Sequence, residues 1–328
     1  MSSPLRRGGG TERADTHATP NGATRVAVGV DAGGTTTRAV AVDAAGTIVG
    51  RGAAGGANPN SNGVDAAAAN MAAAVGAALG GRPCAGCLIG MAGSSKLYAD
   101  PTVFARFAAA LADVGAAEPP VVVSDAEVAF ASGATEADGT VLIAGTGSIA
   151  MRIAGHRRAA TAGGYGWLLG DEGSAFWLGR EAVRAALDGL QREAPSGPFV
   201  SAVLAEAGAN AFGELITVVN AAPPIALARF APLVSAHAGD PVAADIIERA
   251  ALGLAGLATR VRRTGPVVIA GSVAAPDTPV GVRVRELLSH LDVRTAADGV
   301  LGAARLAVIT AFSGQSAGTS TRGWRNPG

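Results

Sequence analysis

The sequence has no surplus of charge and no long apolar run. Its 328 residues include 26 basic and 26 acidic side chains, which cancel to a formal net charge of zero. The basic residues are nearly all Arg, with Lys96 as the only lysine, which we attribute to a coding bias that also favours Ala and Gly. Nucleic-acid-binding domains usually carry a basic patch, and a membrane helix needs about 20 successive apolar residues. We therefore expect neither a nucleic-acid partner nor a membrane partner.

Cysteine is nearly absent. The two cysteines, Cys84 and Cys87, are spaced C-x2-C. One such pair supplies two ligands, whereas a structural zinc ion or an iron–sulfur cluster is held by four. The pair precedes the apolar run Leu88–Met91, so buried thiols in a reducing cytoplasm are the favoured interpretation, and metal or redox chemistry is the alternative.

Both ends of the sequence lack an apolar pattern. Residues 1–24 have no apolar segment of the kind found in secretory signals, so we expect a disordered tail there and a cytoplasmic protein. Residues 313–328 are predicted to form a second loose tail. The length of the chain suggests two domains of ordinary size.

Alternating apolar residues predict a hairpin after the first tail. Val26, Val28 and Val30 form one alternating run, and Ala39–Val42 forms a second. The turn between them, Gly33–Thr37, consists only of glycine and threonine. Glycine lets a ligand approach the backbone, and successive N–H groups in such a turn can surround an anion. The turn therefore predicts a phosphate cradle, with an ordinary hairpin turn as the alternative.

The same pattern returns in the second half of the chain. Gly139–Ala144 predicts a strand, Gly145–Ser148 a second glycine–hydroxyl turn, and Ile149–Ile153 another strand. The sequence has no Walker motif, and the residues after Gly33-Gly34 continue as a strand, unlike those of a Rossmann turn. The repeat predicts two similar lobes that face each other across a cleft.

Spacing and composition give the elements between these hairpins. Helices are predicted at Val64–Leu79, Pro101–Leu111, Gly179–Leu187 and Pro241–Arg263, strands at Cys87–Met91 and Val121–Val123, and a loop at Gly52–Gly63.

Five segments occur in a characteristic order, namely DAGGTTT, SDAEVAFASG, IAGTGSIA, GGYGWLLGDEGSAFWLG and VIAGSV. Together they resemble the N-acetylglucosamine kinase branch of the BadF/BadG/BcrA/BcrD ATPase family, within the actin/hexokinase/Hsp70 superfamily, over roughly Val26 to Phe312. The resemblance implies an α/β, two-lobed actin-like ATPase fold of the ribonuclease H-like type, with the nucleotide and the substrate in the inter-lobe cleft. It also implies ATP and Mg²⁺ as cofactors, a small-molecule sugar as substrate and a homodimer.

The resemblance also suggests domain boundaries. An N-terminal lobe is expected at 25–135 and a C-terminal lobe at 136–297. A helix at 298–312 is expected to return to the N-terminal lobe.

The activity implied by the resemblance is ATP-dependent phosphorylation of an amino sugar, with N-acetylglucosamine giving its 6-phosphate. Glucosamine and glucose stay open as substrates, because Asn62 stands where animal N-acetylglucosamine kinases have an aromatic residue. An ATPase that activates a dehydratase or reductase partner is an alternative of another class, although Cys84 and Cys87 do not lie where its cluster ligands are expected. A sugar-sensing regulator is disfavoured, because no helix-turn-helix segment precedes Arg25.

Asp125 matches the family's catalytic aspartate and would also contact the sugar. A carboxylate at a strand end can accept the proton of a sugar hydroxyl and aim its oxygen at the γ-phosphate. The alternative is that Asp125 is the N-cap of a helix at Ala126–Gly133. Asp31 resembles the aspartate that holds Mg²⁺ through water.

The resemblance implies further ligand contacts. The expected ATP-binding residues are Gly33, Gly34, Thr35, Thr36 and Thr37 in the first turn, Gly145, Thr146, Gly147 and Ser148 in the second, and Gly271 and Ser272 in the adenosine motif. The expected sugar contacts, besides Asp125, are Asn60, Gly164 and Asp171.

Two of these sugar contacts have structural alternatives. The alternative for Asn60 is that it caps the helix that begins at Val64. The alternative for Asp171 and Glu172 is that they only cap the helix that begins near Ser174.

Overall fold

The computed structural model describes residues 25–92, 100–192 and 197–312. The two predicted tails, 1–24 and 313–328, lie outside these residues. The elements of the first half are strands β1 Val26–Ala32, β2 Thr36–Val42, β3 Ile48–Gly55, β4 Cys84–Met91 and β5 Val121–Val123, and helices α1 Pro59–Asn62, α2 Val64–Leu79, α3 Pro101–Ala112 and α4 Asp125–Gly133.

The second half begins with another antiparallel run and contains most of the helices. Its strands are β6 Gly139–Ala144, β7 Ser148–Ala154, β8 Arg157–Gly163, β9 Val267–Ala270 and β10 Val293–Thr295. Its helices are α5 Ala175–Gln191, α6 Pro198–Ala207, α7 Phe212–Ala221, α8 Ala231–Ala236, α9 Pro241–Val261, α10 Pro279–Leu287 and α11 Gly299–Phe312, with a 3-10 helix at Pro224–Phe230.

The two halves form sheets of identical topology. The first sheet has the order β3-β2-β1-β4-β5 and the second the order β8-β7-β6-β9-β10. In each, the first three strands are antiparallel and the last two run parallel to the first. The internal repeat predicted from the two glycine–hydroxyl hairpins is therefore confirmed, and it extends to whole sheets.

Both faces of the first sheet are covered. Met71 and Val75 of α2 pack on one face of β1, in a cluster that also contains Val28. On the other face, Ala303 and Ala304 of α11 pack against residues of β1, β2 and β4. The last helix of the described chain thus completes the core of the first sheet, which lies more than half the chain away in sequence.

Two chain segments cross between the sheets, and they are bonded to each other. One joins α4 to β6 and the other joins β10 to α11. Arg294 donates to both carboxylate oxygens of Glu136 at 2.7 Å. Nearby, the N–H of Ala297 donates to the Ser132 hydroxyl at 3.0 Å. Hydrogen bonds thus join the two regions where the chain passes from one sheet to the other.

The Arg294–Glu136 pair predicts a pH-dependent contribution to stability. Arg294 lowers the pKa of the Glu136 carboxyl from 4.5 to about 2, chiefly through the hydrogen bond. A lowered folded-state pKa stabilises the fold above the unfolded pKa, and the gain is lost as the pH falls from 4.5 towards 2. Because both side chains are partly exposed, Glu136→Gln should cost about 1 kcal/mol or less at pH 7.

Urea unfolding of both proteins at pH 7 and pH 3 would test this. We expect the difference in free energy of unfolding to shrink at pH 3. A difference that stays constant with pH would contradict the prediction.

Several element boundaries differ from those predicted. β8 was not predicted, because its polar start, Arg157-Arg158, gives no apolar alternation; it is an edge strand with mostly exposed residues. The predicted loop Gly52–Gly63 is partly regular, since β3 continues to Gly55 and α1 follows. The helix predicted to start at Gly179 begins at Ala175. By contrast, the predicted helix Val64–Leu79 agrees with α2 at both ends.

Among the described residues, no single helix is long and apolar enough to cross a membrane. The α6 and α7 helices pass that criterion only as a pair, which is bent by 47°.

Candidate active site

The ends of strands from both sheets enclose one cavity of about 350 Å³. Asp31 at the end of β1 and Asp125 just after β5 line it from the first sheet. Ala270 and Gly271 at the end of β9 line it from the second sheet, and Gly299 at the start of α11 closes it near the crossing. In open α/β sheets, ligands bind outside the carboxyl ends of parallel strands, and this cavity lies there.

Asp125 is not the N-cap of a helix, which was the alternative to its role as the base. Ser124 is the N-cap of α4, and it forms a capping box with Glu127, whose Oε2 accepts from the Ser124 N–H at 2.8 Å. Asp125 is therefore the first helical residue, and its Oδ1 accepts the N–H of Ala126 at 3.0 Å. Its second carboxylate oxygen remains available to a ligand in the cavity.

The position of Asp125 suits a proton acceptor. Asp125 is an exposed residue, but the atoms that line the cavity around it bury part of its carboxylate. This burial raises the pKa of the Asp125 carboxyl, the N–H of Ala126 opposes the rise, and the charges of Asp31 and Glu127 add to it. A raised pKa makes the carboxylate a stronger base than an ordinary aspartate.

The first glycine–hydroxyl turn exposes part of its backbone to the cleft. The N–H of Gly33 donates to Thr36 O at 3.0 Å, and Gly33 O accepts the N–H groups of Ala57 and Asn58 at 3.1 and 3.2 Å. The carbonyl side of the turn is thus held by the chain that follows β3. Gly34, Thr35 and Thr36 are exposed, so their donors can face a ligand.

Thr37 does not fit its expected role. It is fully buried in β2, because side chains alternate along a strand and Thr36 and Arg38 point outward. Its hydroxyl has no hydrogen-bond partner within the described part of the chain. The expectation that Thr37 binds ATP is wrong for its side chain.

Asp31 is tied to a basic residue that the sequence did not single out. Arg38 Nη2 donates to Asp31 Oδ2 at 2.7 Å. Residues 25–92, 100–192 and 197–312 contain no group of three or more His, Cys, Asp or Glu side chains able to hold a metal ion by themselves. Mg²⁺ usually keeps several waters and takes one or two carboxylates together with substrate phosphates. A magnesium ion held through water by Asp31 beside bound phosphates fits these residues.

The second glycine–hydroxyl turn is closed on one side by the segment that follows β8. Gly145 O and Thr146 O accept the N–H groups of Ala175 and Phe176, the first residues of α5, at 2.8 and 3.3 Å. Thr146 is exposed, and a Cβ at Gly145 would meet open space. The N–H of Gly145 donates to Gly147 O at 3.0 Å, so the exposed donors of this turn are those of Thr146.

Ser148 is a second correction. Its hydroxyl donates to Glu172 O at 2.9 Å and its N–H donates to Asp171 Oδ1 at 3.1 Å. Ser148 is buried. Both of its donors are engaged within the protein, so the expectation that Ser148 binds ATP is not met.

Asp171 is not a helix cap. Ser174 caps α5, since its hydroxyl accepts the N–H of Trp177. Asp171 is instead buried, with the left-handed φ of 62°, and its carboxylate lies against Gly147, where a Cβ would stand 3.0 Å from Oδ2. The alternative of a purely capping Asp171 is wrong. The carboxylate fixes the shape of the second turn.

Gly164 lies beside the same turn. It has φ of 69°, and its N–H donates to Ser148 O at 3.0 Å. The exposed apolar residues Tyr165, Trp167, Leu168 and Leu169 follow it directly. Gly164 and Asp171, both expected to contact the sugar, are thus brought together around Ser148.

Asn60 is exposed and does not cap α2, whose N-cap is Gly63. Its side-chain amide donates to Asn58 Oδ1 at 3.1 Å. Sequence reasoning missed Asn58. This residue caps α1, and its side-chain amide also donates to Ala92 O, just after β4, at 3.3 Å. The Asn58-Pro59 pair was the available signal, since Asn at an N-cap with Pro after it is typical of a helix start.

Gly271 brings the adenosine motif against the second turn. It has φ of 97°, and a Cβ there would collide with the backbone of Ala144, the residue before Gly145. The N–H of Val273 donates to Ala144 O at 3.0 Å. Gly271 and Ser272 are exposed, so a flat group could lie against their backbone.

The family model for the BadF/BadG/BcrA/BcrD ATPase family matches residues 28–307. The chain belongs to this family. The family and the fold class expected from the five sequence segments are therefore confirmed.

A single relative matches a smaller part of the chain than the family model does. A Clostridium acetobutylicum enzyme named N-acetylmuramic acid/N-acetylglucosamine kinase is 35% identical over 109 residues, which is 33% of this chain and 34% of that protein. The matched segment thus spans about a third of the relative's length.

Solved structures resemble the whole fold. A Chromobacterium violaceum protein, provisionally named an N-acetylglucosamine kinase, has a TM-score of 0.62 at 24% identity, covering 87% of this chain and 99% of that one. A ROK family glucokinase from Streptomyces griseus, solved with glucose and AMPPNP, has a TM-score of 0.51 at 21% identity, covering 86% of this chain and 98% of that one. At these identities the likeness supports the actin-like, two-lobed fold.

Proposed function

We propose that this family member is a sugar kinase that transfers the γ-phosphoryl group of ATP to an amino sugar, with N-acetylglucosamine 6-phosphate as product. The observation that carries the proposal is Asp125. It is not the N-cap of α4, its pKa is raised, and it shares one cavity with Asp31, which ends β1 just before the first glycine–hydroxyl turn. A base and a phosphate-binding turn in one cleft suit phosphoryl transfer to a hydroxyl.

In the proposed reaction, Asp125 accepts the proton of the sugar 6-hydroxyl as the oxygen forms its bond to the γ-phosphorus. The bond between that phosphorus and the bridging oxygen of ADP breaks at the same time. Exposed donors of Gly34–Thr36 and of Thr146 hold the phosphate oxygens in line. Bound Mg²⁺ would neutralise charge on the phosphates. Movement of the two sheets towards each other, about the two chain segments that join them, would close the cleft and exclude water.

The proposed sugar contacts, besides Asp125, are Asn60, Gly164 and Asp171. The amide of Asn60 can donate to and accept from a hydroxyl or an acetamido group. Gly164 is exposed and would let the sugar approach its backbone closely, and Asp171 would offer its remaining acceptor capacity to a sugar hydroxyl. Glucosamine and glucose satisfy the same groups, and the Clostridium relative adds N-acetylmuramic acid as a candidate.

An assay of ADP release across a panel of sugars tests the proposal. The panel is N-acetylglucosamine, N-acetylmuramic acid, glucosamine and glucose, each with ATP and Mg²⁺. We expect N-acetylglucosamine to give the highest kcat/KM. A protein for which no sugar raises ADP release above the sugar-free rate is not a kinase of these sugars. Size-exclusion chromatography with light scattering would test the homodimer.

An ATPase that activates a reductase or dehydratase partner is less well supported. Such proteins need accessible cysteines to hold a cluster between subunits. Here Cys87 is fully buried in β4 and Cys84 is half-buried beside it. Burial raises the pKa of both thiols, which disfavours the thiolate that a cluster requires. Iron bound to the purified protein would restore this alternative.

A further inference from the structure

Arg38 lies at the cleft, and the proposed reaction gives it no role. It stands directly opposite Asp31 in the β1–β2 ladder and donates to that carboxylate at 2.7 Å. Its guanidinium also pairs with both oxygens of Asp298, Nη1 with Oδ2 at 3.0 Å and Nη2 with Oδ1 at 2.9 Å. One arginine therefore bridges a carboxylate at the end of β1, Asp31, and a carboxylate at the second crossing, Asp298.

Asp298 holds its place through the helix that follows it. Its Oδ1 accepts the N–H of Val300, at 3.2 Å, in the first turn of α11. Between the two carboxylates, Gly299 packs against Asp31, whose Oδ2 would stand 3.1 Å from a Cβ at that position. The bridge thus joins the hairpin of the first phosphate turn to the start of α11.

The charges around this bridge do not balance. Asp31, Asp125 and Asp298 contribute three negative charges and Arg38 one positive charge, so the cluster carries minus two. Within the described ranges, no other basic side chain forms an ion pair with Asp31 or Asp298. The hydrogen bond to Asp31 raises the pKa of Arg38, so the guanidinium stays charged. A divalent cation would bring the cluster to zero.

We propose that Arg38 is a positioning residue that sets the cation affinity of the cleft. It holds the Asp31 carboxylate and cancels part of the cluster charge, so that Mg²⁺ binds together with the nucleotide and only weakly to the empty protein. Nucleotide phosphates then supply the negative charge and the oxygen ligands that the protein alone lacks. The inference rests on the proposed ATP-dependent function.

Binding of Mn²⁺, followed by the electron paramagnetic resonance signal of the free ion, tests the proposal. The metal is titrated into each variant with and without a non-hydrolysable ATP analogue. Arg38→Ala removes a positive charge bonded to two carboxylates, Asp31 and Asp298, and should tighten Mn²⁺ binding to the nucleotide-free protein about tenfold. Arg38→Lys keeps the charge and should bind Mn²⁺ as the unaltered protein does.

A second variant is expected to change the Mn²⁺ affinity in the opposite direction. Asp298→Asn removes a negative charge, yet asparagine still caps a helix, so Mn²⁺ binding should weaken several-fold without loss of α11. Arg51→Ala is the matched control, because Arg51 is exposed on β3 and forms no ion pair in the described chain. It should leave Mn²⁺ binding unchanged. Thermal melting checks that each variant is folded, and Arg38→Gln replaces Arg38→Ala if that variant melts early.

The outcomes separate this inference from the proposed function. Unchanged or weaker Mn²⁺ binding by the neutral Arg38 variants, or an unchanged affinity in Asp298→Asn, overturns the role of Arg38 while the kinase proposal stands. A protein that binds no Mn²⁺ even with the ATP analogue overturns the magnesium-dependent reaction and this inference with it.

Discussion

Asp125→Asn is expected to lower kcat by about 10²- to 10⁴-fold, because the amide cannot accept the proton of the sugar hydroxyl. The substitution keeps the size of the side chain and its bond to the N–H of Ala126. The affinities for sugar and for nucleotide should therefore change by only a few-fold. Steady-state kinetics with the best sugar of the panel gives kcat, and isothermal titration calorimetry gives sugar binding.

The raised pKa of Asp125 adds a second observable to this experiment. The base acts only when deprotonated, so kcat/KM of the unaltered enzyme should fall at acidic pH, with a midpoint above that of an ordinary aspartate. The residual activity of Asp125→Asn should lack that acidic limb. Asp113→Asn is the control, since Asp113 is exposed at the end of α3, outside the cavity. Near-full activity of Asp125→Asn would exclude Asp125 as the base.

Gly29→Ala should cost about 3 kcal/mol of stability, because the core has no room for the added methyl group. A Cβ at Gly29 in β1 would collide with the backbone of Ala304 in α11. Backbone cannot rotate away as a flexible side chain can, so α11 would have to shift from the sheet. Thermal unfolding and urea unfolding of the variant measure the loss.

The control for Gly29→Ala is the same substitution where there is room. Gly256 lies within α9, and a Cβ there would meet no atom within 4 Å. Because glycine is unfavourable in a helix, Gly256→Ala should leave stability unchanged or raise it by about 0.5–1 kcal/mol. If Gly29→Ala were as stable as Gly256→Ala, α11 would not pack closely on β1.

Local patterns in the sequence were enough for the hairpins and for the position of Asp125 after a buried strand. Alternating valines placed β1, and the glycine–threonine turn placed its end, because strand period and turn chemistry depend on neighbouring residues. Asp125 followed from its place after the buried run Val121–Val123. The repeat of the hairpin then predicted two equivalent sheets, and the structure has them.

Other features of the site needed contacts between distant residues. Ser148 looked like a phosphate ligand, yet Asp171 and Glu172 engage both of its donors. Thr37 had the right residue type, but it lies on the buried side of β2. Residue type alone does not reveal whether a donor is already bonded within the protein, and one position along a strand reverses the direction of a side chain.

The glycine–hydroxyl turns that the sequence predicted are thus the best-determined part of this protein, because a turn and its flanking strands are encoded within about a dozen residues. The tertiary structure decided which donors in those turns remain free. It also decided that Arg38 joins Asp31 to Asp298, residues that lie far apart in the chain. Such a bridge depends on α11 returning to the first sheet, and chain packing, unlike strand alternation, leaves no periodic signal in the sequence.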